Sequence, residues 1–290
     1  MRILVAPHAG FCFGVRRAIE MARRAVAEGR PVYSLGPLIH NRQAVESLRR
    51  QGLTPVEAPA QVPPGARVMI RTHGAGRDIY EELRERGLEI IDATCPFVTR
   101  AHDAARRFHE EGYQVLVLGD REHPEARGIV QQTDGEAVIV SQPQEIEGIA
   151  LGSRVAVVCQ TTQRRENLLA LVGAVLRRVQ ELRIANTICD ATTQRQEASA
   201  ELAKAVDVMI VVGGYHSANT RRLAEICAAA GTPTHHVEVA EELRPEWFAG
   251  ANVVGITAGA STPDDVLRAV AHRMLELGGP GSEVVGVNAT

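Results

Sequence analysis

The sequence predicts an α/β protein of small parallel sheets covered by helices, and three observations carry that prediction. Short apolar runs alternate with longer stretches of helical periodicity along 290 residues. The apolar residues are mostly Val, Ile, Leu and Ala, with aromatics only 3% of the chain, which suits strands buried on both faces. A strand–cysteine–helix unit recurs three times.

The strands are taken in order. Apolar runs at Arg2–Ala6, Pro31–Leu35, Arg67–Arg71, Glu89–Asp92, Gln114–Leu118, Ala137–Val140, Arg154–Cys159, Ile184–Ile188, Val206–Val212, His236–Val239 and Asn252–Thr257 read as buried strands. Three helices follow cysteines. Val15, Ala18, Ile19, Ala22 and Val26 share one helical face after Cys12. Val98, Ala101, Ala105 and Phe108 do so after Cys95, and Ala198, Leu202 and Val206 after Cys189. Gly278–Ser282 breaks structure, and the tail beyond it is expected to be loosely held.

Cys12 and Cys95 are 83 residues apart, and Cys95 and Cys189 are 94 apart. Repeats of that length predict three similar α/β domains: 1–93 with Cys12, 94–187 with Cys95, and 188–290 with Cys189.

Composition narrows the functional classes. The net charge is -3 and the pI about 6.4, with no basic stretch interleaved with aromatics, so nucleic-acid binding has little support. Met1–Pro7 is too short a run for a signal peptide, and no later segment approaches the roughly 20 apolar residues of a membrane helix. Five cysteines, an odd number, point to reduced thiols in a cytoplasmic protein rather than to a disulfide framework.

A helix N-terminus favours the thiolate, the form that binds metal. Cys12, Cys95 and Cys189 are too far apart for a zinc ribbon or a C-x₂-C loop. Three domains could still focus them on a [4Fe–4S] cluster with one iron left open. A zinc ion on three cysteines, or a non-enzymatic iron–sulfur sensor, are the competing readings. Cys159 and Cys227 fall outside the repeat and read as small buried hydrophobes.

The strand ends are polar throughout: His40-Asn41, Thr72-His73-Gly74, His123-Pro124-Glu125, Gln160-Thr161-Thr162, Tyr215-His216-Ser217-Ala218-Asn219-Thr220 and Ala258-Gly259-Ala260-Ser261. Ligands bind at such ends in parallel sheets. Histidines, hydroxyls and amides with almost no Lys or Arg suit a diphosphate held by neutral donors. Taken singly, Thr161, Ser217 and Ser261 also read as helix N-caps, and the two roles are compatible. Glu125 is the one carboxylate beside a histidine here. It reads either as a first-turn helix residue or as a proton donor paired with His123.

These motifs, with Gly10-Phe11-Cys12-Phe13-Gly14-Val15, Asp92-Ala93-Thr94-Cys95-Pro96, Cys189-Asp190-Ala191-Thr192 and Arg195-Gln196-Glu197, run in order along nearly the whole chain. The sequence resembles the 4-hydroxy-3-methylbut-2-enyl diphosphate reductases, the last enzymes of the non-mevalonate isoprenoid pathway. The resemblance implies a trefoil of three small α/β domains around a central cluster-binding cavity, with Cys12, Cys95 and Cys189 on a [4Fe–4S] cluster. It implies that His40, His73, His123, Thr161, Ser217, Ala218, Asn219 and Ser261 surround the substrate and that Glu125 delivers protons. It also implies a ferredoxin or flavodoxin as electron donor. The chain departs from the family at Tyr215-His216, where Lys is frequent, at Ala218, where a second serine is frequent, and at Ala75-Gly76, where a branched residue is usual. Quinolinate synthase, another three-cysteine cluster enzyme, fits the His-Pro-Glu motif less well.

Overall fold

The structure is a computed structural model and describes residues 1–286. In chain order, β1 (Arg2–Val5) leads through Cys12 into α1 (Phe13–Ala27). Then come β2 (Val32–Leu35), α2 (Arg42–Gln51), β3 (Leu53–Val56), β4 (Arg67–Ile70), α3 (Arg77–Glu85) and β5 (Glu89–Asp92). Past Cys95 follow α4 (Pro96–Glu110), β6 (Gln114–Leu118), α5 (Pro124–Val130), β7 (Val138–Val140), β8 (Arg154–Cys159), α6 (Arg165–Leu176) and β9 (Glu181–Ala185). Past Cys189 follow α7 (Asp190–Ala203), β10 (Val208–Val212), α8 (Ala218–Ala229), β11 (Thr234–Val237), β12 (Val253–Ala258), α9 (Asp264–Gly278) and β13 (Glu283–Val285).

The strands form three sheets of one design, with orders β3-β2-β4-β5, β7-β6-β8-β9 and β11-β10-β12-β1-β13. Every pairing is parallel, for example Leu116 with Val157 and Ile210 with Ile256. The chain divides into two compact units. One comprises Met1–Val15, His40–Ala44 and the chain from Asp190, and holds the last of the three sheets. The other comprises Arg16–Ile39 and Val45–Cys189, and holds the first two.

Burial explains the unbroken apolar runs. In the β7-β6-β8-β9 sheet, Val115 and Val117 pack with Ala101, Ala105 and Phe108 of α4 and Ala126 and Ile129 of α5. On the opposite face, Leu116, Leu118, Val155 and Val157 pack with Leu168, Leu171 and Val175 of α6. Successive side chains point to opposite faces, so a strand covered by helices on both sides is apolar at every position.

The structure differs from the sequence reading at sheet edges. β3 contains Pro55, which argues against a strand in sequence but is tolerated at an edge. β9 lies at 181–185 rather than 184–188; it is a charged edge strand in which Glu181 pairs with Arg154 and Arg183 with Glu111. β11 starts two residues before the apolar run, at Thr234. α7 ends at Ala203, so Val206 lies beyond the helix. Part of the tail expected to be loose is ordered, because Glu283–Val285 pairs with β1; residues 287–290 lie outside the described residues. β1 itself pairs with β12, which places the first strand in the sheet of the C-terminal strands.

Candidate active site

Each of Cys12, Cys95 and Cys189 is fastened in the same way. A tight turn ends the neighbouring strand: Gly74 N–H to Arg71 O after β4, Gln163 N–H to Gln160 O after β8, and Thr262 N–H to Gly259 O after β12. The carbonyl of the second turn residue then accepts a cysteine N–H. Cys95 donates to Thr72 at 3.0 Å, Cys189 to Thr161 at 3.1 Å and Cys12 to Ala260 at 3.0 Å. In each sheet, therefore, a cysteine is tied to a turn that carries a sequence-predicted site residue: His73, Thr161 or Ser261.

A side chain adds a second fastening beside each cysteine. Arg195, buried on α7, donates to Gly10 O at 2.8 Å. Arg17 donates to Thr94 O at 3.2 Å. Thr187 accepts Cys159 N–H at 2.9 Å. None of these three roles was assigned in the sequence reading, although Arg195 lies in a quoted motif.

The three cysteines are half-buried and none is in a disulfide. Cys159 and Cys227 are fully buried, and burial pushes both thiols up to about 12. The donor set thus splits three and two: partly accessible thiols before helices, and thiols locked in the core. Soft thiolates of the first kind fit an iron–sulfur group, and the second kind do not.

In the unit holding β6 and β8, the structure brings His123, Glu125 and Thr161 together. His123 is the N-cap of α5, its Nδ1 accepting Glu125 N–H at 3.1 Å. A neutral imidazole that accepts at Nδ1 carries its proton on Nε2. The Glu125 carboxyl is turned to Thr161 rather than to the His123 ring. Oε1 accepts Thr161 N–H at 2.5 Å and Oε2 accepts its hydroxyl at 3.0 Å. Glu125 is 2% exposed, and burial pushes its pKa up to about 7 even though both Thr161 donors pull it down. Thr161 precedes α6 by several residues and does not cap it. The His73 and His123 rings meet edge to face, 5.3 Å between centroids.

In the other unit, Ser217 caps α8 by accepting Thr220 N–H at 3.3 Å, and Ala218 opens that helix, buried. Asn219 follows, 4% exposed, and among the described residues neither Oδ1 nor Nδ2 of its amide has a hydrogen-bond partner. A buried amide with both ends unsatisfied is rare in folded proteins and calls for an explanation. Ser261 donates its hydroxyl to His40 O at 3.0 Å, and α9 begins later, at Asp264, so Ser261 does not cap it. Gly214 lies under the same carbonyl: a Cβ there would sit 2.8 Å from His40 O. Tyr215 turns to Glu242, donating its hydroxyl at 2.9 Å, while its N–H donates to Glu238 at 2.7 Å.

Comparison with known proteins is consistent across sequence and structure. A family model described as LytB protein matches residues 3–275. The 4-hydroxy-3-methylbut-2-enyl diphosphate reductase of Citrifermentans bemidjiense is 45% identical over 274 residues, covering 94% of this chain and 97% of that one. The reductase of the same name from Aquifex aeolicus is 43% identical over 279 residues, covering 95% and 96%. A solved structure of (E)-4-hydroxy-3-methyl-but-2-enyl diphosphate reductase, described as the terminal enzyme of the non-mevalonate pathway, superposes with TM-score 0.69 at 43% identity, covering 95% and 99%. The Plasmodium falciparum E-1-hydroxy-2-methyl-but-2-enyl-4-diphosphate reductase shares the fold at TM-score 0.91 and 24% identity, covering 100% and 94%.

Proposed function

The chain belongs to the LytB family, and we propose that it reduces (E)-4-hydroxy-3-methylbut-2-enyl diphosphate to isopentenyl and dimethylallyl diphosphate. The observation that carries the proposal is the repeated cysteine fastening, present at Cys12, Cys95 and Cys189 and absent at the two core cysteines. These three residues would hold a [4Fe–4S] cluster, which supplies single electrons and a Lewis-acidic iron when bound.

The reaction breaks one allylic C–O bond and forms one C–H bond. It consumes two electrons and two protons and releases water. Glu125 is the proton source on this chain. Its carboxyl sits near neutrality in pKa, so the protonated and ionised forms are both accessible at working pH. Thr161 holds both carboxyl oxygens and thereby fixes the direction in which the proton is offered.

Anion recognition falls to neutral donors. His123 offers Nε2–H, because Nδ1 is occupied by the helix it caps. Ser217 accepts from Thr220 and still has its own proton to donate. Asn219 offers Nδ2. His40 and His73 complete the set with Ser261, whose hydroxyl would turn from His40 O to the anion, while Ala218 contributes only backbone. Two electrons must enter from outside, and a ferredoxin or flavodoxin is the class of donor proposed. Among the described residues no helix is long and apolar enough to cross a membrane. A cytoplasmic location is proposed from the five free cysteines, which suit a reducing compartment.

The test is anaerobic reconstitution with iron and sulfide, followed by turnover with a reduced viologen dye and the allylic diphosphate. Dye oxidation coupled to formation of both five-carbon diphosphates is expected. An iron-loaded chain that binds the diphosphate without oxidising the dye refutes the proposal.

A further inference from the structure

His102 belongs to none of the motifs above, yet its side chain lies against Gly74 of one of them and against Gly128 of α5. It stands on α4, seven residues past Cys95, and is 8% exposed. Its ring occupies space left by two glycines. A Cβ at Gly74 would lie 2.6 Å from Cε1 of His102. A Cβ at Gly128 would lie 3.2 Å from its Nε2 and 3.6 Å from the carbonyl oxygen of His73. Gly74 directly follows His73, and Gly128 is three residues past Glu125 on α5. One imidazole therefore packs against both Gly74 of the His73 turn and Gly128 of the helix that presents His123 and Glu125.

Two features set this ring apart from ordinary filling. Gly74 has φ +73, so its backbone alone accounts for the missing side chain. Gly128 has no such reason. It is a helical glycine without positive φ, which costs about 1 kcal/mol against alanine. Room for the His102 ring is what its missing Cβ provides. In addition, Nε2 of His102 is buried with no hydrogen-bond partner among the described residues. Burial keeps the imidazole neutral, with its pKa pulled down to about 4. An apolar side chain of similar size would avoid the orphaned nitrogen. A position that tolerates both costs serves something other than stability.

We propose that His102 is a positioning residue, the spacer that sets the His73 turn against His123 and Glu125. The inference rests on the reaction proposed above, since those three residues are its substrate-facing groups. They make one contact network: the His73 and His123 rings meet at 5.3 Å, and His123 accepts Glu125 N–H. A spacer of the wrong shape would shift the His73 turn relative to α5, while the backbone bond from Cys95 to Thr72 carries Cys95 with that turn.

The experiment compares wild type, His102→Leu, His102→Asn, Gly128→Ala and the double variant Gly128→Ala/His102→Asn, all reconstituted with iron and sulfide. Three quantities are read: melting temperature, kcat/KM with the allylic diphosphate, and affinity for inorganic pyrophosphate by calorimetry. His102→Leu should melt at or above the wild-type temperature and keep its iron. Its kcat/KM should fall by about tenfold to a hundredfold, the usual effect of misplaced catalytic groups, and pyrophosphate should bind more weakly. Gly128→Ala should show the same losses. The smaller asparagine should restore most of them in the double variant, a coupling that independent sites do not show. The proposal is overturned if His102→Leu keeps wild-type kcat/KM and pyrophosphate affinity. It is equally overturned if the double variant is merely additive, a comparison that stands even if His102→Leu fails to fold. Should wild type bind pyrophosphate but not turn over, the reaction assignment fails, and pyrophosphate affinity across the variants still decides the spacer.

Discussion

Thr161 donates its backbone N–H and its hydroxyl to the two oxygens of Glu125, at 2.5 and 3.0 Å, and so grips both ends of one buried carboxyl. The two residues come from adjacent strand ends, those of β6 and β8. The grip stabilises the ionised form, while burial opposes ionisation more strongly. An acid poised near neutrality is the outcome.

Glu125→Gln keeps an acceptor for Thr161 N–H but has no proton to give. Turnover should fall by about 10²–10⁴-fold with iron content unchanged. The same variant reports on stability. The folded state holds the Glu125 proton more tightly than the unfolded chain, whose carboxyl titrates near 4.5. That contribution is complete below about pH 4.5 and is lost as the pH rises through about 7. Glu125→Gln does not titrate, so wild type should lose stability relative to it from pH 5 to 7, by on the order of 3 kcal/mol, with a constant gap above. Parallel thermal melts across pH check this, and parallel curves for the two proteins would contradict the buried acid.

Thr161→Val removes the hydroxyl and leaves the N–H. One of the two donors that lower the Glu125 pKa is then gone, so that pKa should rise further. If protonated Glu125 is required, the alkaline limb of the kcat–pH profile moves to higher pH. A limb that stays in place would assign the titration to another group.

Asn219→Ala separates binding from folding. The amide has no partner among the described residues, so its removal should leave the melting temperature level or slightly raised. Affinity for the diphosphate should drop by about tenfold to a hundredfold, the value of a hydrogen bond to a charged group. Ser217→Ala should lose similar affinity and, in addition, about 1 kcal/mol of stability, because it caps α8. Calorimetry and melting curves on the two variants distinguish the pair; equal stability losses would remove the special status of Asn219.

Much of this was legible in sequence because burial on two faces leaves a strong signal. β10 is an unbroken apolar run and β6, β8 and β12 are nearly so, and the polar residues that follow them mark the carboxyl ends where the candidate site residues stand. Edge strands were less legible. β9 reads as polar because its charges pair at the surface, and β3 carries a proline that only an edge accepts. The turn of the Glu125 carboxyl to Thr161, across 36 residues, was hidden because local sequence pairs Glu125 with its neighbour His123. His102 was hidden for a related reason. In a helix it reads as one polar residue among many, and only the two facing glycines, far away in sequence, reveal that its ring is enclosed.

The cysteines provide the sharpest division. Cys12, Cys95 and Cys189 donate their N–H groups to the turns at Ala260, Thr72 and Thr161, and each stands half-buried before a helix. Cys159 lies in the core beside Leu116 and Leu118, and Cys227 lies beside Met209 and Leu223. Serine offers a hard alcohol where a cluster needs a soft thiolate. Cys12→Ser, Cys95→Ser and Cys189→Ser should therefore each lower bound iron and remove most activity, while the N–H bonds to the turns preserve the local backbone. Cys159→Ala and Cys227→Ala should keep wild-type iron, since their thiols are held protonated by burial. Their loss is packing, about 0.5–3 kcal/mol as for ordinary core changes. Iron per chain after anaerobic reconstitution, measured beside far-ultraviolet circular dichroism, sorts the five variants. A Cys95→Ser protein with full iron, or a folded Cys159→Ala protein without it, would break the link between the repeated fastening and the metal.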